Sequence, residues 1–431
     1  MFKEVVTIFE EYQSAAVAIL DARTGFVIYG SAEHQLMYPA STTKVMTALL
    51  VLEHVENLHE PMIISEEAVL ALPSYASRMH LAPGDVMTVY EALYGLMLPS
   101  GNEVANALAE RVAGNVNNFV ALMNHRAQQL GATNTRFVNA CGLPGDGQHT
   151  TAFDMSLIMR EAISHPIFNR IISTPFFYVA PTDGLPEGRN LRNTNRMIHF
   201  DEPSFNPWVI GGKTGFTNAA QHTLVSYAQR GEHEVIVTVL YAPRLATFSD
   251  TNILLDYVFS LPMVSVFEAA DHIYQIPVIE NINGEPVTTG TITAIGNQNL
   301  RIPFLGDIPL RSEAYIPSYL SPPILIGDVV GHKAFYSNDI FVGEVELIST
   351  NSILHQLALV GQQRDNSVSG TLSFDAFTQS LSFFPFLAMM PIATVTIFGV
   401  FLVMIRRYRR MLRQRKRRAG YVRAEYNKYY Q

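Results

Sequence analysis

The stretch PASTTKVMTALLVLE, residues 39–53, decides the fold, because it joins STTK at 41–44 to a run with apolar residues at helical spacing. A cluster of Ser and Thr before such a run is typical of a helix start, so we predict a helix from 41 to about 54. Residues three apart are neighbours on one helix face, which places Ser41 beside Lys44. A lysine whose pKa is lowered by burial or by a nearby cation can take the proton of a serine and make it a nucleophile. The alternative is a helix cap followed by a solvated lysine.

Two further motifs follow along the chain. SGN at 100–102 lies between two predicted helices, 89–98 and 102–113. Such a loop can present a hydroxyl and an amide to a cleft, although these triplets mostly form turns. KTG at 213–215 follows VIGG on a predicted strand, where glycine marks the close approach of a backbone or a ligand. Two of the six lysines in the chain, Lys44 and Lys213, stand in the three motifs. The three motifs together predict acyl transfer at a serine.

The apolar patterns predict an α+β fold. Residues 14–30 read as a β-hairpin and the following segments are mainly helical. Strands are predicted late in this half, at 207–212, 222–229 and 234–242. We expect the hairpin and these strands to form one antiparallel sheet, with the helical middle packed on it.

The composition changes after residue 262, where short apolar runs separated by Gly, Pro and Asn predict a small all-β domain. We therefore predict five regions: a catalytic domain over 1–262, a small β-rich domain over 263–350, a connector over 351–382, a transmembrane helix over 383–405 and a basic cytoplasmic tail over 406–431.

The distribution of charge supports the predicted span. The net charge is −8, although residues 406–431 carry eleven Lys or Arg and one acid, so the rest of the chain is acidic and no nucleic acid partner is expected. The 23 uncharged residues of 383–405 can cross a bilayer, and the positive-inside rule places the tail in the cytoplasm and the body outside. A buried core helix is the alternative, and two prolines interrupt the run. Residues 1–11 show no export signal.

The order and spacing of the three motifs resemble those of penicillin-recognising serine enzymes. Together with LGATNTRFVNACGLPG at 130–145 and NTNR at 193–196, they resemble low-molecular-mass penicillin-binding proteins that act as serine-type D-Ala-D-Ala carboxypeptidases. The resemblance covers about 14–262 and continues more loosely into the β-rich domain. It implies a penicillin-binding or β-lactamase-like transpeptidase domain, an antiparallel sheet with a helical subdomain. Its implied ligands are peptidoglycan stem peptides ending in D-Ala-D-Ala and β-lactams, and no metal or cofactor is expected.

The resemblance also implies roles for residues. Ser41 would attack the carbonyl between the terminal D-alanines, Lys44 would take its proton, and Ser100 would pass a proton to the departing D-alanine. The N–H groups of Ser41 and Phe216 would form the oxyanion hole. The Lys213 charge would help to keep Lys44 neutral. The implied substrate-binding residues are Asn102, Lys213, Thr214, Gly215, Phe216 and Arg196.

The sequence departs from the family pattern at two positions. Gln221 stands where glycine is usual, so the following strand is expected to sit differently beside the cleft. Glu103 stands where Asp is frequent, and little effect is expected from it. Three alternative functions remain open: a peptidoglycan DD-endopeptidase, a β-lactamase, and a non-catalytic β-lactam receptor or wall-binding protein.

Overall fold

The computed structural model describes residues 12–183, 186–269, 272–303, 309–337 and 340–355. Its strands, numbered in chain order, are β1 (Ala16–Asp21), β2 (Val27–Ser31), β3 (Pro61–Ile63), β4 (Val86–Thr88), β5 (Phe176–Val179), β6 (Arg189–Arg192), β7 (Val209–Thr217), β8 (Gln221–Arg230), β9 (His233–Ala242), β10 (Met263–Phe267), β11 (Tyr274–Ile282), β12 (Glu285–Gly296), β13 (Leu300–Pro303), β14 (Leu310–Tyr315), β15 (Val329–Ser337) and β16 (Ile340–Ser349). The α-helices are Lys44–His54, Glu66–Leu70, Val89–Met97, Asn102–Ala113, Val116–Gln129, Ala152–Ile163, Pro166–Ile172 and Ala246–Ser260. Two short 3-10 helices are Ala40–Thr43 and Arg196–Ile198.

The central sheet is antiparallel and has the strand order β2-β1-β9-β8-β7. The N-terminal hairpin and the three late strands thus form one sheet, which confirms the predicted α+β arrangement. β7 lies at the edge and continues to Thr217, whereas the predicted strand ended at residue 212. The KTG motif therefore lies inside the edge strand and not beyond its end.

Helices cover both faces of this sheet, which explains why its inner strands do not alternate. β8 and β9 each have six consecutive buried residues, because a strand with helices on both faces has no solvent side. The helix Ala246–Ser260 packs against β8 and β9 on one side, where Leu254 and Val258 are fully buried. The helix Ala152–Ile163 packs on β1 and β9.

The helix Lys44–His54 is the centre of the helical subdomain. Its first eight residues are all buried, and it contacts the helices Asn102–Ala113 and Ala152–Ile163. Lys44 opens this helix and is itself fully buried. The subdomain thereby places a lysine in a low-dielectric environment.

Every regular element described between residues 263 and 349 is a strand. A second antiparallel sheet has the order β11-β12-β16-β15-β14 and buries Ile276, Val278, Ile292 and Leu347. Phe335, Val342 and Val345 instead join the core beneath the central sheet, so this region packs directly on the catalytic part. The predicted all-β structure is therefore present in the described residues of 263–349. The boundaries of the domains stay predictions.

The predicted span over 383–405 and the basic tail over 406–431 lie outside the described residues, as do residues 1–11 and most of the connector. Among the helices that the structure does describe, none combines the length and the apolar composition needed to cross a bilayer.

Candidate active site

Ser41 lies in the 3-10 helix Ala40–Thr43, and the α-helix begins only at Lys44. The predicted start of the α-helix at residue 41 is therefore wrong by one short turn. Ala40 has a left-handed φ of +48°, and its carbonyl oxygen lies 1.8 Å from the position that a Cβ on Gly142 would occupy. The loop at Gly142 therefore presses on the turn that carries Ser41, and only glycine fits there.

The side chains of Ser41 and Lys44 meet inside the protein. Lys44 is fully buried, and its Nζ lies 3.0 Å from Ser41 Oγ. The same Nζ donates to Asn102 Oδ1 at 2.7 Å and to the carbonyl oxygen of Cys141 at 2.7 Å. These two oxygens can only accept, so they hold two of the amine hydrogens. In a neutral amine the remaining lone pair then points to the Ser41 hydroxyl, which is the arrangement that a general base requires.

The environment of Lys44 lowers its pKa and makes the neutral amine more accessible. Burial lowers the pKa of Lys44 to about 8, while the Cys141 thiol and the Glu103 carboxylate act in the opposite direction. At pH 7 about a tenth of the molecules would hold the free base. Burial, and then the charge of Lys44, also hold the pKa of Lys213 well below its usual range. Burial, and not the charge of Lys213, is thus the main cause of the lowered Lys44 pKa.

Ser100 and Asn102 lie in the turn between the helices Val89–Met97 and Asn102–Ala113. Ser100 has a left-handed φ of +67°, a sparsely populated conformation that separates the two helices. Its Oγ is buried and has no hydrogen-bond partner among the described residues. A buried hydroxyl without a partner is costly, so it is well placed to bond a ligand in the cleft.

The KTG motif forms the opposite wall, on the edge strand β7. A Cβ on Gly215 would lie 2.8 Å from the Ser41 backbone nitrogen, so glycine allows the strand to touch the nucleophile turn. Lys213 is 1% exposed and its Nζ donates to the Thr214 carbonyl oxygen at 3.0 Å. Phe216 is half exposed, and its ring lies 4.5 Å from that of His222.

Gln221 stands at the turn between β7 and β8. It adopts the left-handed φ of +51° that glycine takes easily, and its Nε2 donates to the Asn218 carbonyl oxygen at 2.7 Å. This bond helps to close the turn in place of glycine. The β7–β8 pairing runs without a shift from Thr217–Gln221 to Gly211–Tyr227, while the β8–β9 pairing shifts between His222 and Leu224. The different position expected for β8 beside the cleft stays a prediction.

Arg196 stands in the 3-10 helix Arg196–Ile198 at the same end of the cleft as Thr214. Its Nη1 lies 3.7 Å from Glu202 Oε2, a partly exposed ion pair. The neighbouring Thr194 hydroxyl lies 2.6 Å from the Thr214 hydroxyl, which ties this segment to β7.

The cleft between these walls has a volume of about 710 Å³. The predicted site residues that line it are Ser41, Ser100, Asn102, Arg196, Thr214, Gly215 and Phe216. Lys44 and Lys213 lie behind the lining. The structure thus brings together all nine residues predicted for the site, from segments up to 175 positions apart in sequence.

Sequence reasoning missed three contributors. The Asn139 side chain accepts from the Gly142 N–H at 2.7 Å and shapes the loop that presents the Cys141 carbonyl to Lys44. Arg244 lines the cleft beside Thr214 and contributes to a lowered pKa at His222 after the larger effect of burial. Glu103 is fully buried behind Asn102. The sequence does contain a signal for Asn139, because the NACG run at 139–142 lies within the stretch 130–145 that carries the family resemblance.

A family model described as D-alanyl-D-alanine carboxypeptidase matches residues 4–244. The chain belongs to this family. The D-alanyl-D-alanine carboxypeptidase DacF of Bacillus subtilis is 32% identical over 255 residues, which span 58% of this chain and 63% of that relative. The D-alanyl-D-alanine carboxypeptidase of Streptomyces sp. strain K15 is 34% identical, over 55% of this chain and 84% of that relative.

The fold of this carboxypeptidase-family chain matches solved structures as well. The peptidoglycan synthesis regulatory factor PBP3 of Streptococcus pneumoniae is similar with a TM-score of 0.66 and 25% identity, over 79% of this chain and 99% of that one. A carboxypeptidase of Mycobacterium tuberculosis has a TM-score of 0.53 and 30% identity, over 58% and 93% of the two chains. The first of these similarities extends past the family match and into the β-rich region.

Proposed function

We propose that the protein is a serine-type D-Ala-D-Ala carboxypeptidase that removes the terminal D-alanine of a peptidoglycan stem peptide through an acyl-enzyme at Ser41. The observation that carries the proposal is the contact of Lys44 Nζ with Ser41 Oγ, with two acceptor oxygens holding the rest of the amine. Family membership supports the same activity.

In the acylation step, Ser41 Oγ forms a bond to the carbonyl carbon of the penultimate D-alanine, and its proton passes to neutral Lys44. The C–N bond to the last D-alanine then breaks, and the proton reaches the leaving amine through Ser100. The unpartnered Ser100 hydroxyl supports this role, because it is free to donate to the amine and to accept from Lys44. Water afterwards cleaves the ester and regenerates Ser41.

Developing negative charge on the carbonyl oxygen would be held by the N–H groups of Ser41 and Phe216. The close approach of Gly215 to the Ser41 nitrogen supports this pairing, since it places the two backbones side by side. Alternate N–H groups of an edge strand point away from the sheet, and β7 is such a strand.

The free carboxylate of the substrate would lie at the end of the cleft that Thr214, Arg196 and Arg244 line, with Lys213 behind it. Lys213 has one acceptor among the described residues, so an anion would supply the partner that its ammonium form lacks. Asn102 would hold the acyl part of the substrate. A β-lactam carries a similar carboxylate and would acylate Ser41 in the same way.

A DD-endopeptidase is a second candidate. The D-alanyl-D-alanine endopeptidases of Escherichia coli and Pseudomonas aeruginosa are 30% and 31% identical to this chain. Both activities use the same acyl-enzyme, so the difference lies in the leaving group. Release of D-alanine from a pentapeptide and cleavage of a cross-linked dimer separate them.

We also propose that residues 383–405 anchor the protein, with the catalytic part outside the cytoplasm. The support is the apolar run and the arginine-rich tail that follows it. Deleting 383–431 should move the protein from the membrane fraction to the soluble fraction. A truncated form that stays with the membrane would contradict this anchor.

The proposed activity is tested by intact-mass spectrometry of the purified full chain after incubation with benzylpenicillin, beside a Ser41→Ala variant. A mass gain of one drug molecule, lasting minutes and absent from Ser41→Ala, is expected, together with D-alanine release from a pentapeptide. Rapid loss of the adduct with hydrolysed drug would indicate a β-lactamase. An unmodified chain and intact drug would favour the non-catalytic alternative.

A further inference from the structure

We infer that Glu103 is a positioning residue, whose buried carboxylate holds the segment 77–80 at the rim of the cleft and thereby orients Asn102 toward Lys44. The inference deepens the proposed function, since it rests on Lys44 as the base of the reaction. It is carried by a chain of hydrogen bonds that runs from Glu103 through the segment 77–80 to Asn102.

The first link joins Glu103 to the backbone of the rim. Glu103 is 0% exposed, and its Oε1 accepts from the Met79 N–H at 2.5 Å and from the His80 N–H at 2.9 Å. Hydrogen bonds to an ionised acceptor are roughly twice as strong as neutral ones. The other oxygen, Oε2, has no hydrogen-bond partner among the described residues. Burying a carboxylate with one oxygen unpartnered costs free energy, and the two N–H donors at Oε1 offset part of that cost.

The second link is the strained backbone at His80. Its φ of +66° is left-handed, which is uncommon for a side chain other than glycine and persists only where the surroundings enforce it. The Glu103 carboxylate is bonded to the N–H of this same residue. Losing that bond would let the backbone at His80 relax toward an ordinary conformation.

The third link joins the rim to the catalytic amide. The Ser77 carbonyl oxygen accepts from the backbone N–H of Asn102 at 3.0 Å and from its Nδ2 at 2.9 Å. With Nδ2 held in this way, Asn102 presents Oδ1 to Lys44 Nζ. The rim segment therefore selects the orientation of the amide, and the amide helps to orient the amine.

The first residue of the segment and the two residues before it form part of the cleft. Tyr75, Ala76 and Ser77 line the cavity together with Ser100. Arg189 bonds the Met79 carbonyl oxygen, so Met79 is held at both its N–H and its carbonyl. Displacement of 77–80 would thus change both the wall that meets the substrate and the position of the base.

Asp154 is a matched control elsewhere in the fold. It is 1% exposed, its Oδ2 accepts from the Asn134 N–H at 2.8 Å and from the Thr135 hydroxyl at 2.8 Å, and its Oδ1 has no partner among the described residues. Its burial and bonding resemble those of Glu103, yet it does not line the cleft. Asp154→Ala therefore reports what the loss of a buried carboxylate does to the fold alone.

The test compares Glu103→Ala, Glu103→Gln and Asp154→Ala in the purified full chain. Acylation by benzylpenicillin is resolved into a binding constant and a rate constant, and amide hydrogen exchange is measured over 75–80. In Glu103→Ala we expect exchange in this segment to rise at least about tenfold. The acylation rate constant should fall about 10²-fold, with a smaller change in binding. Glu103→Gln keeps an acceptor oxygen and should restore both to within about fivefold.

Asp154→Ala should lower the melting temperature but leave exchange over 75–80 and the acylation rate unchanged. Equal acylation losses in Glu103→Ala and Asp154→Ala would overturn the inference, as would unchanged exchange over 75–80 in Glu103→Ala. If Glu103→Ala does not fold, Glu103→Gln decides: a rate loss above about tenfold at a normal melting temperature would contradict positioning by hydrogen bonding. The exchange readout needs no activity, so it tests Glu103 even if the wild-type chain is not acylated.

Discussion

Lys44 and Lys213 stand on the two walls of one cleft, and they are equally buried but held very differently. Lys44 Nζ has three oxygen neighbours within 3.0 Å, whereas Lys213 Nζ has one among the described residues. Lys44 therefore has its hydrogen-bond partners before a ligand binds, whereas Lys213 can still donate to a further acceptor. We propose accordingly that the base is preorganised and that the substrate carboxylate would complete the set of partners around Lys213.

The largest effect is expected from removing the base. Lys44→Ala should reduce the rate of acylation by benzylpenicillin by about 10²- to 10⁴-fold, because Lys44 Nζ is the group that bonds Ser41 Oγ among the residues that the structure describes. The rate is followed as the growth of the adduct by intact-mass spectrometry. Lys333→Ala is the control, since Lys333 is also buried but lies over the Phe267 ring in the β-rich region. A loss below tenfold for Lys44→Ala would remove Lys44 from the mechanism.

Removing the Lys213 side chain from the strand wall should weaken the interaction with the carboxylate of the ligand. Lys213→Ala should slow acylation by benzylpenicillin by about 10²-fold, the scale of losing one partner of a buried charge pair. The same variant should lose much less toward the methyl ester of the drug, which has no anion. The ratio of the two acylation rates, acid over ester, measures this difference. Equal losses would mean that Lys213 acts on the base and not on the carboxylate.

The two walls also predict how acylation depends on pH. The reacting form of Lys44 is the neutral amine, and burial places its pKa at about 8, with Cys141 and Glu103 favouring the charged form. The acylation rate should therefore rise with pH to a plateau above about 8 and fall roughly tenfold per unit well below it. Stopped-flow measurements across this range check the profile, and a flat profile would argue against a lysine base.

Much of the fold followed from local patterns. The predicted helices at 89–98 and 102–113 end within a residue of those in the structure. Helix termini are marked by nearby residues: Thr88 and Glu91 form a capping box, and Gly114 ends a helix in a left-handed conformation. Local signals of this kind are complete within a few residues, which is why sequence alone located these elements.

The side-chain contacts that shape the site could not be predicted from the sequence. Glu103 was expected to matter little, because nothing near it in sequence indicates that it bonds Met79 and His80, which precede it by more than 20 positions. At Gln221 the side chain helps to close its own turn by a bond to Asn218, only three residues earlier. The Glu103 bonds differ from this local one, because packing alone brings their partners together.

The sequence by itself determined that a serine and a lysine share one helix turn and that two further motifs supply a hydroxyl, an amide and a second lysine, because spacing of three residues fixes neighbours on a helix. Only the tertiary structure decided the state of that lysine. Burial lowers the pKa of Lys44, and the carbonyl of Cys141 and the amide of Asn102 set the direction of its lone pair. These depend on desolvation and on partners 58 and 97 residues away, which no local pattern specifies.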